Sequence, residues 1–294
     1  PWAATNNAFH PTPRRSGQRP RLTLFNSGST VHVKLVPLDG RRSVELELSL
    51  LLILGGVALL AGFIDTLAGG GGLLTLPALL LAGLSPVNAL ATNKLQGTFG
   101  SGMATFMLLR RRRFAETLAG LRRPFLWSLA GSALGTVLVQ LTDSDALQVL
   151  VPVVLAVIAL YFLFSPGAGS VHRTPRLSAR LYERTVVPVI GFYDGFFGPG
   201  TGSFFSLTGV ALRGQDLITA TAQAKALNFA SNIASLTLFV IGGKVLWVTG
   251  AVMIVGQMAG AWLGSHAVLH GGARLIRPLI VIVCLAMLLR YLLA

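Results

Sequence analysis

The run Leu48–Ala68 carries one charged residue, Asp65, over a length that matches the hydrocarbon core of a bilayer. Val149–Phe164 does the same with no charge at all. Such runs read as membrane-spanning helices, and a chain of 294 residues with several of them has no soluble core able to bury them all. Charged residues make up 12% of the chain, against about a quarter in soluble domains. A multi-pass helical membrane protein is expected.

The charge that is present is strongly basic, net +14. Residues 1–43 hold Arg14, Arg15, Arg19, Arg21, Lys34, Arg41 and Arg42 against Asp39. Most of the remainder falls between apolar runs, at Arg110 to Arg113, Arg122, Arg123, Arg173, Arg176, Arg180 and Arg184. Arginines that flank apolar helices follow the positive-inside pattern, so nucleic acid is not an expected partner. This places the Arg110–Arg123 and 166–184 loops in the cytoplasm, both termini with them, and Asp143 and Asp145 outside. Cys284 is the only cysteine and forms no intrachain disulfide. The segment 1–43, rich in Pro, Arg and Ser, is expected to be a disordered, non-native leader. No Met precedes Met103, so Val44 is the expected native start.

A motif occurs twice. Gly62-Phe63-Ile64-Asp65 precedes Gly69-Gly70-Gly71-Gly72 and then Lys94 on an apolar helix. Gly191-Phe192-Tyr193-Asp194 precedes Gly198-Pro199-Gly200-Thr201-Gly202 and then Lys225. Further on, Ala130–Gly135 is echoed by Ala259–Gly264, and Pro152 by Pro278. The expected fold is all-α, with two homologous repeats, 44–165 and 182–294, joined by a cytoplasmic linker at 166–181. Each repeat holds about four spans: 46–68, 88–109, 121–140 and 146–165, then 184–198, 217–241, 246–268 and 276–293. The pieces 73–83 and 203–212 are too short to cross and read as half-helices broken by Gly, Pro77 and Pro199. Eight spans would make the repeats parallel; if the short pieces cross, ten spans make them inverted.

Aspartate and lysine inside apolar spans are costly and mark a transport pathway. Glycine breaks ahead of a half-helix expose backbone N–H groups at its positive end, a setting for anions. The candidate substrate site is therefore Gly69, Gly70, Gly71, Gly72, Gly198, Gly200 and Thr201 with Lys94 and Lys225. Asn93 and Gln96 share a helical face beside Lys94, and Asn228 and Asn232 share one with Lys225. Asp65 and Asp194 are candidate carriers of a coupling proton, or structural partners of the lysines. His266 and His270 have a metal-face spacing but no third ligand nearby, so no metal and no cofactor are expected.

The stretch Ala61–Pro77 with Ala91-Thr92-Asn93-Lys94, and Gly191–Gly202 with Ala224–Asn228, resemble the two signature halves of the TauE/SafE family of sulfite and sulfonate exporters. The resemblance covers about 45–294, and the leader departs from it. It implies a bacterial inner-membrane permease, built by duplication of a four-helix unit, that moves small sulfur oxyanions or organosulfonates. The expected function is thus secondary export of a small anion, sulfite or an organosulfonate, by alternating access. Partners are that anion and the lipid bilayer, with a homodimer left open. The rivals are a passive anion channel, or a membrane enzyme or assembly factor, for which the spans offer no nucleophile and base.

Overall fold

The computed structural model describes residues 22–27, 30–35, 46–110, 120–143, 145–147, 150, 153–154 and 174–269. The chain divides into two compact units, Pro1–Leu48 and Ser49–Ala294.

In the first unit, β1 (Leu22–Ser27) and β2 (Thr30–Leu35) pair antiparallel, with Leu22 opposite Leu35 and Ser27 opposite Thr30. A short β3 (Leu46–Glu47) adds to β2. A structureless leader was expected, and these strands differ from it. The reason lies in the alternation of Leu22 and Leu24, then Val31, Val33 and Leu35, a period-2 pattern that suits a strand.

In the second unit, the described helices are α1 (Leu48–Ala68), α2 (Gly72–Leu81), α3 (Pro86–Leu109), α4 (Arg122–Leu141), α5 (Ala179–Phe196), α6 (Thr201–Arg213), α7 (Leu217–Ile241) and α8 (Trp247–Leu269). Local chemistry sets their starts. Pro86 follows Ser85 at the head of α3, Ser178 Oγ accepts from Leu181 N at the head of α5, and Asp216 Oδ1 accepts from Thr219 N at the head of α7. Helices α1, α4, α7 and α8 are long and apolar enough to cross a membrane. α3 matches them in length, but its polar run Thr92-Asn93-Lys94 with Gln96 lowers its hydropathy. The ten residues of α2 and thirteen of α6 reach only about 15–20 Å, short of a ~30 Å hydrocarbon core. Most of the expected span 146–165, the span 276–293, Pro152, Pro278, His270 and Cys284 lie outside the described residues.

Packing partners fix the direction of each helix. Lys94 of α3 meets Asn232 of α7, Gly102 meets Phe229, and Leu108 clusters with Ala222 and Ala226, so α3 and α7 are antiparallel. Thr92 bonds Leu246, Leu95 touches Gly250 and Gly100 faces Gln257, so α3 and α8 are parallel. Gly256, Gly260 and Gly264 of α8 pack on the backbone of Gly55, Leu59 and Phe63, so α1 runs with α8. Gly131 and Gly135 of α4 pack on Pro188 and Phe192 of α5, while Ser128, Ser132 and Thr136 bond Leu227, Ser231 and Ser235 of α7, so these three run together. The half-helices turn back on their predecessors or successors: Tyr182 of α5 bonds Thr208 of α6, and Thr75 of α2 bonds Asn93 of α3.

Helices α1, α3, α6 and α8 therefore point one way, and α2, α4, α5 and α7 the other. α1–α4 and α5–α8 show the same succession of long and short helices in opposite orientation. Of the two arrangements the sequence left open, parallel or inverted, the helix directions match the inverted one. The physical reason is that α2 turns back after α1 and α6 after α5, so each half opens on a hairpin, and the two hairpins enter from opposite faces. Arg110, Arg122, Arg176, Arg180 and Arg213 all fall at helix ends on one face, while α1 begins on the other.

The surface suits lipid. Leu52, Ile53 and Leu60 of α1, Leu134 and Leu141 of α4, and Val255 of α8 are exposed, whereas Ser128, Ser132, Thr136, Ser231 and Ser235 are buried between helices. Lipid offers no hydrophobic drive between helices, so small residues and interhelical hydrogen bonds hold them.

Candidate functional site

The tips of the two hairpins meet. Gly69 sits against Gly202 and Ser203 so closely that a Cβ on Gly69 would lie 2.1 Å from Ser203 N. Gly72 faces Pro199, with Asn93 Nδ2 beside it. Gly69 (φ 79°) and Gly198 (φ 94°) hold left-handed conformations open to glycine at little cost. The heads of α2 and α6 are thereby brought together at one point.

Charges cross between the halves there. Lys94 Nζ of α3 lies 2.8 Å from Asp194 Oδ1 of α5, and Lys225 Nζ of α7 lies 3.0 Å from Asp65 Oδ2 of α1. Lys225 also donates to the Asp65 carbonyl. Both lysine side chains are buried (1% and 0% exposed). Burying an ion this deep costs several kcal/mol, which the opposite charge offsets when geometry is close. The carboxamides extend the network. Lys94 donates to Asn232 Oδ1 at 3.1 Å, Asn232 Nδ2 to Asn228 Oδ1 at 3.2 Å, Gln96 Nε2 to Asn93 Oδ1 at 2.9 Å, and Thr75 Oγ1 to that same oxygen at 2.5 Å.

These groups line a small polar cavity of about 30 Å³, counted as space open to the centre of a water. That is room for about two waters. Of the residues singled out from sequence, Gly69, Gly72, Gly198 and Gly200 line it from the tips. Asn93, Lys94, Gln96, Asn228 and Asn232 line it from α3 and α7, and Asp65 and Asp194 from α1 and α5. Gly70, Gly71, Thr201 and Lys225 do not. Thr201 Oγ1 is turned to the Gly198 carbonyl at 2.7 Å, Gly71 N donates to Asp65 Oδ1 at 3.3 Å, and Lys225 lies behind its carboxylate. Sequence reasoning missed Gln257 of α8, Gly97 and Gly202. The signal for Gln257 was there: one carboxamide in the apolar run Met253–Met258. His266 Nδ1 lies 2.8 Å from the Trp262 carbonyl. Among the described residues no group of three His, Cys, Asp or Glu is placed to hold a metal.

Apolar helices around a buried, charged cavity, with two broken helices meeting head to head inside, define a membrane transport protein. The chain belongs to the TauE/SafE family: the family model described as Sulfite exporter TauE/SafE matches residues 54–291. It is 50% identical over 238 residues to the probable membrane transporter protein YfcA of Escherichia coli K12, covering 81% of this chain and 88% of that protein. It is 47% identical over 244 residues to a probable membrane transporter protein of Haemophilus influenzae, covering 83% and 95%. With probable membrane transporter protein ORF9 of a Sinorhizobium species it shares 46% over 248 residues, covering 84% and 94%. No solved structure matches the chain. The protein is a multi-pass membrane transporter of this family.

Proposed function

We propose that the chain is a secondary exporter of small sulfur oxyanions, sulfite or an organosulfonate, working by alternating access in the cell inner membrane. One observation carries this reading: the heads of α2 and α6, entering from opposite faces, meet at a small polar cavity lined by Lys94 and by both ion-paired aspartates. Helix heads and carboxamides supply donors for an oxyanion. The lysines are each engaged by an aspartate from the other half, so an entering anion draws on Lys94 by loosening its pair with Asp194. Asp65 and Asp194 are the two carboxylates available to a coupling proton. Entry requires the tips to part, because about 30 Å³ does not hold a sulfonate. Parting from one face at a time is alternating access, and a cavity this narrow speaks against an open anion channel.

The moving bodies follow from packing. Each half's first helix is seated on the other half's fourth, α1 on α8 and α5 on α4, through glycines with backbone contact. Motion that keeps those seams intact moves α1 with α8 against α4 with α5.

Purified protein in proteoliposomes should release preloaded sulfite faster than empty vesicles, with saturation. Asn228→Ala, which removes a lining carboxamide outside both ion pairs, should slow release by about tenfold with little change in thermal unfolding. Release that never saturates and carries large current would replace the exporter with a channel. No release of sulfite or of any sulfonate would remove the reading.

A further inference from the structure

The two ion pairs correspond in position but not in their hydrogen bonding. Every oxygen of Asp65 is used: Oδ1 accepts from Gly71 N, Oδ2 and the carbonyl from Lys225. Asp65 therefore ties the bend after α1 to α7. Asp194 gives Oδ1 to Lys94, but its Oδ2 is buried without a partner. Two more buried acceptors are unpartnered, Gln96 Oε1 and Gln257 Oε1. All three residues line the same cavity and are at most 3% exposed. A buried acceptor left unmade costs about 1–3 kcal/mol, so three around one cavity call for a donor inside it. The cavity therefore meets the helix heads at Gly72, Gly200 and Gly202, where N–H groups can donate, and also carries acceptors that lack a donor.

A fully deprotonated oxyanion answers only the donors. A metal cation answers only the acceptors, and Lys94 already neutralises the carboxylate that would hold it. We infer that the site selects a monoanion that also bears an O–H, its charged oxygens held by the heads of α2 and α6 and its hydroxyl hydrogen donated to Asp194 Oδ2 with Gln257 or Gln96 beside it. The O–H is either the acid proton of a protonated inorganic oxyanion, such as hydrogen sulfite, or the hydroxyl of a small hydroxysulfonate; the smallness of the cavity favours the first. Asp194 is on this account the substrate-reading carboxylate and Asp65 the structural one. The inference rests on the anion-transport reading above and goes further, to the protonation state of the cargo.

Titration calorimetry on the full chain in nanodiscs separates the two readings. At one fixed pH, 2-hydroxyethanesulfonate and ethanesulfonate carry the same charge and differ by a hydroxyl. The hydroxylated ligand should bind about tenfold tighter or more. Gln257→Met, close in volume, should shrink that ratio to a few-fold, and Asp194→Asn should change it as well. The methionine variant keeps the test usable where loss of the Lys94 partner prevents folding. Sulfite titrated at falling pH should bind more tightly as its hydrogen sulfite fraction grows; rising affinity without a hydroxysulfonate preference assigns the O–H to the inorganic acid. Equal binding of the sulfonate pair, together with pH-independent sulfite binding, overturns the inference and leaves anion transport standing. Binding of none of these ligands overturns both, and so does sodium binding in their place, since it makes the acceptors a cation site.

Discussion

Lys225 has nowhere to take its charge. It is fully buried on α7, and Asp65 meets it with both a carboxylate oxygen and a carbonyl. Truncating one member of such a pair strands the other, at a cost of about 3–5 kcal/mol. Lys225→Ala should therefore lower the thermal unfolding temperature of detergent-solubilised protein steeply, whereas Asp65→Asn combined with Lys225→Gln should recover most of the loss. An unfolding temperature unchanged in the single variant would show that the pair does not hold the tips. Lys225 was legible in sequence as a costly intramembrane charge. That it serves a carboxylate of the other half, behind the cavity, depends on contacts across 160 residues of chain.

Whole helices meet through glycine. At Gly195 of α5 a Cβ would lie 2.0 Å from the Ser132 carbonyl, and at Gly135 of α4 2.1 Å from that of Phe192. Beside that seam, Ser132 and Thr136 bond Ser235 at 2.6 and 2.8 Å, each such bond worth about 0.6 kcal/mol in a membrane. Gly195→Val should abolish recovery of monodisperse protein on gel filtration, because backbone must move to admit it. Gly56 is the contrast: it faces outward on α1 with nothing within 4 Å. Gly56→Ala should leave the fold intact and stabilise it by up to about 1 kcal/mol, read as a small rise in unfolding temperature. The small-residue spacing of Gly131 and Gly135, or Gly260 and Gly264, identified these faces as packing faces in sequence; which helix each one meets came only from the fold.

At the scale of the molecule, the opposed orientation of α1–α4 and α5–α8 makes a topological prediction. With Cys284 replaced by Ser, Leu48→Cys and Arg110→Cys should react with a membrane-impermeant maleimide from opposite faces of right-side-out vesicles. Labelling from the same face would contradict the shared direction of α1 and α3 along α8. The arginines at the ends of α3 and α6 and the starts of α4 and α5 gather on one face, which the positive-inside rule assigns to the cytoplasm. Sequence left open whether the short pieces 73–83 and 203–212 cross, and one crossing more or less inverts everything after it. The turn at Gly69–Gly72 is visible in sequence as a break, but a break does not say whether the chain goes on or comes back.

The sequence by itself determined that this chain lives in a bilayer, where its helices stop, and which charges sit at a cost inside them, because hydropathy, glycine and proline act locally. It also supplied nearly all the groups around the cavity, through two copies of one pattern. Only the tertiary structure decided that the copies face each other upside down, that each lysine answers the other copy's aspartate, and that one aspartate keeps an oxygen open while its counterpart does not. Those outcomes depend on ångström-scale approach between segments far apart in the chain, and residue order does not encode such distances one by one.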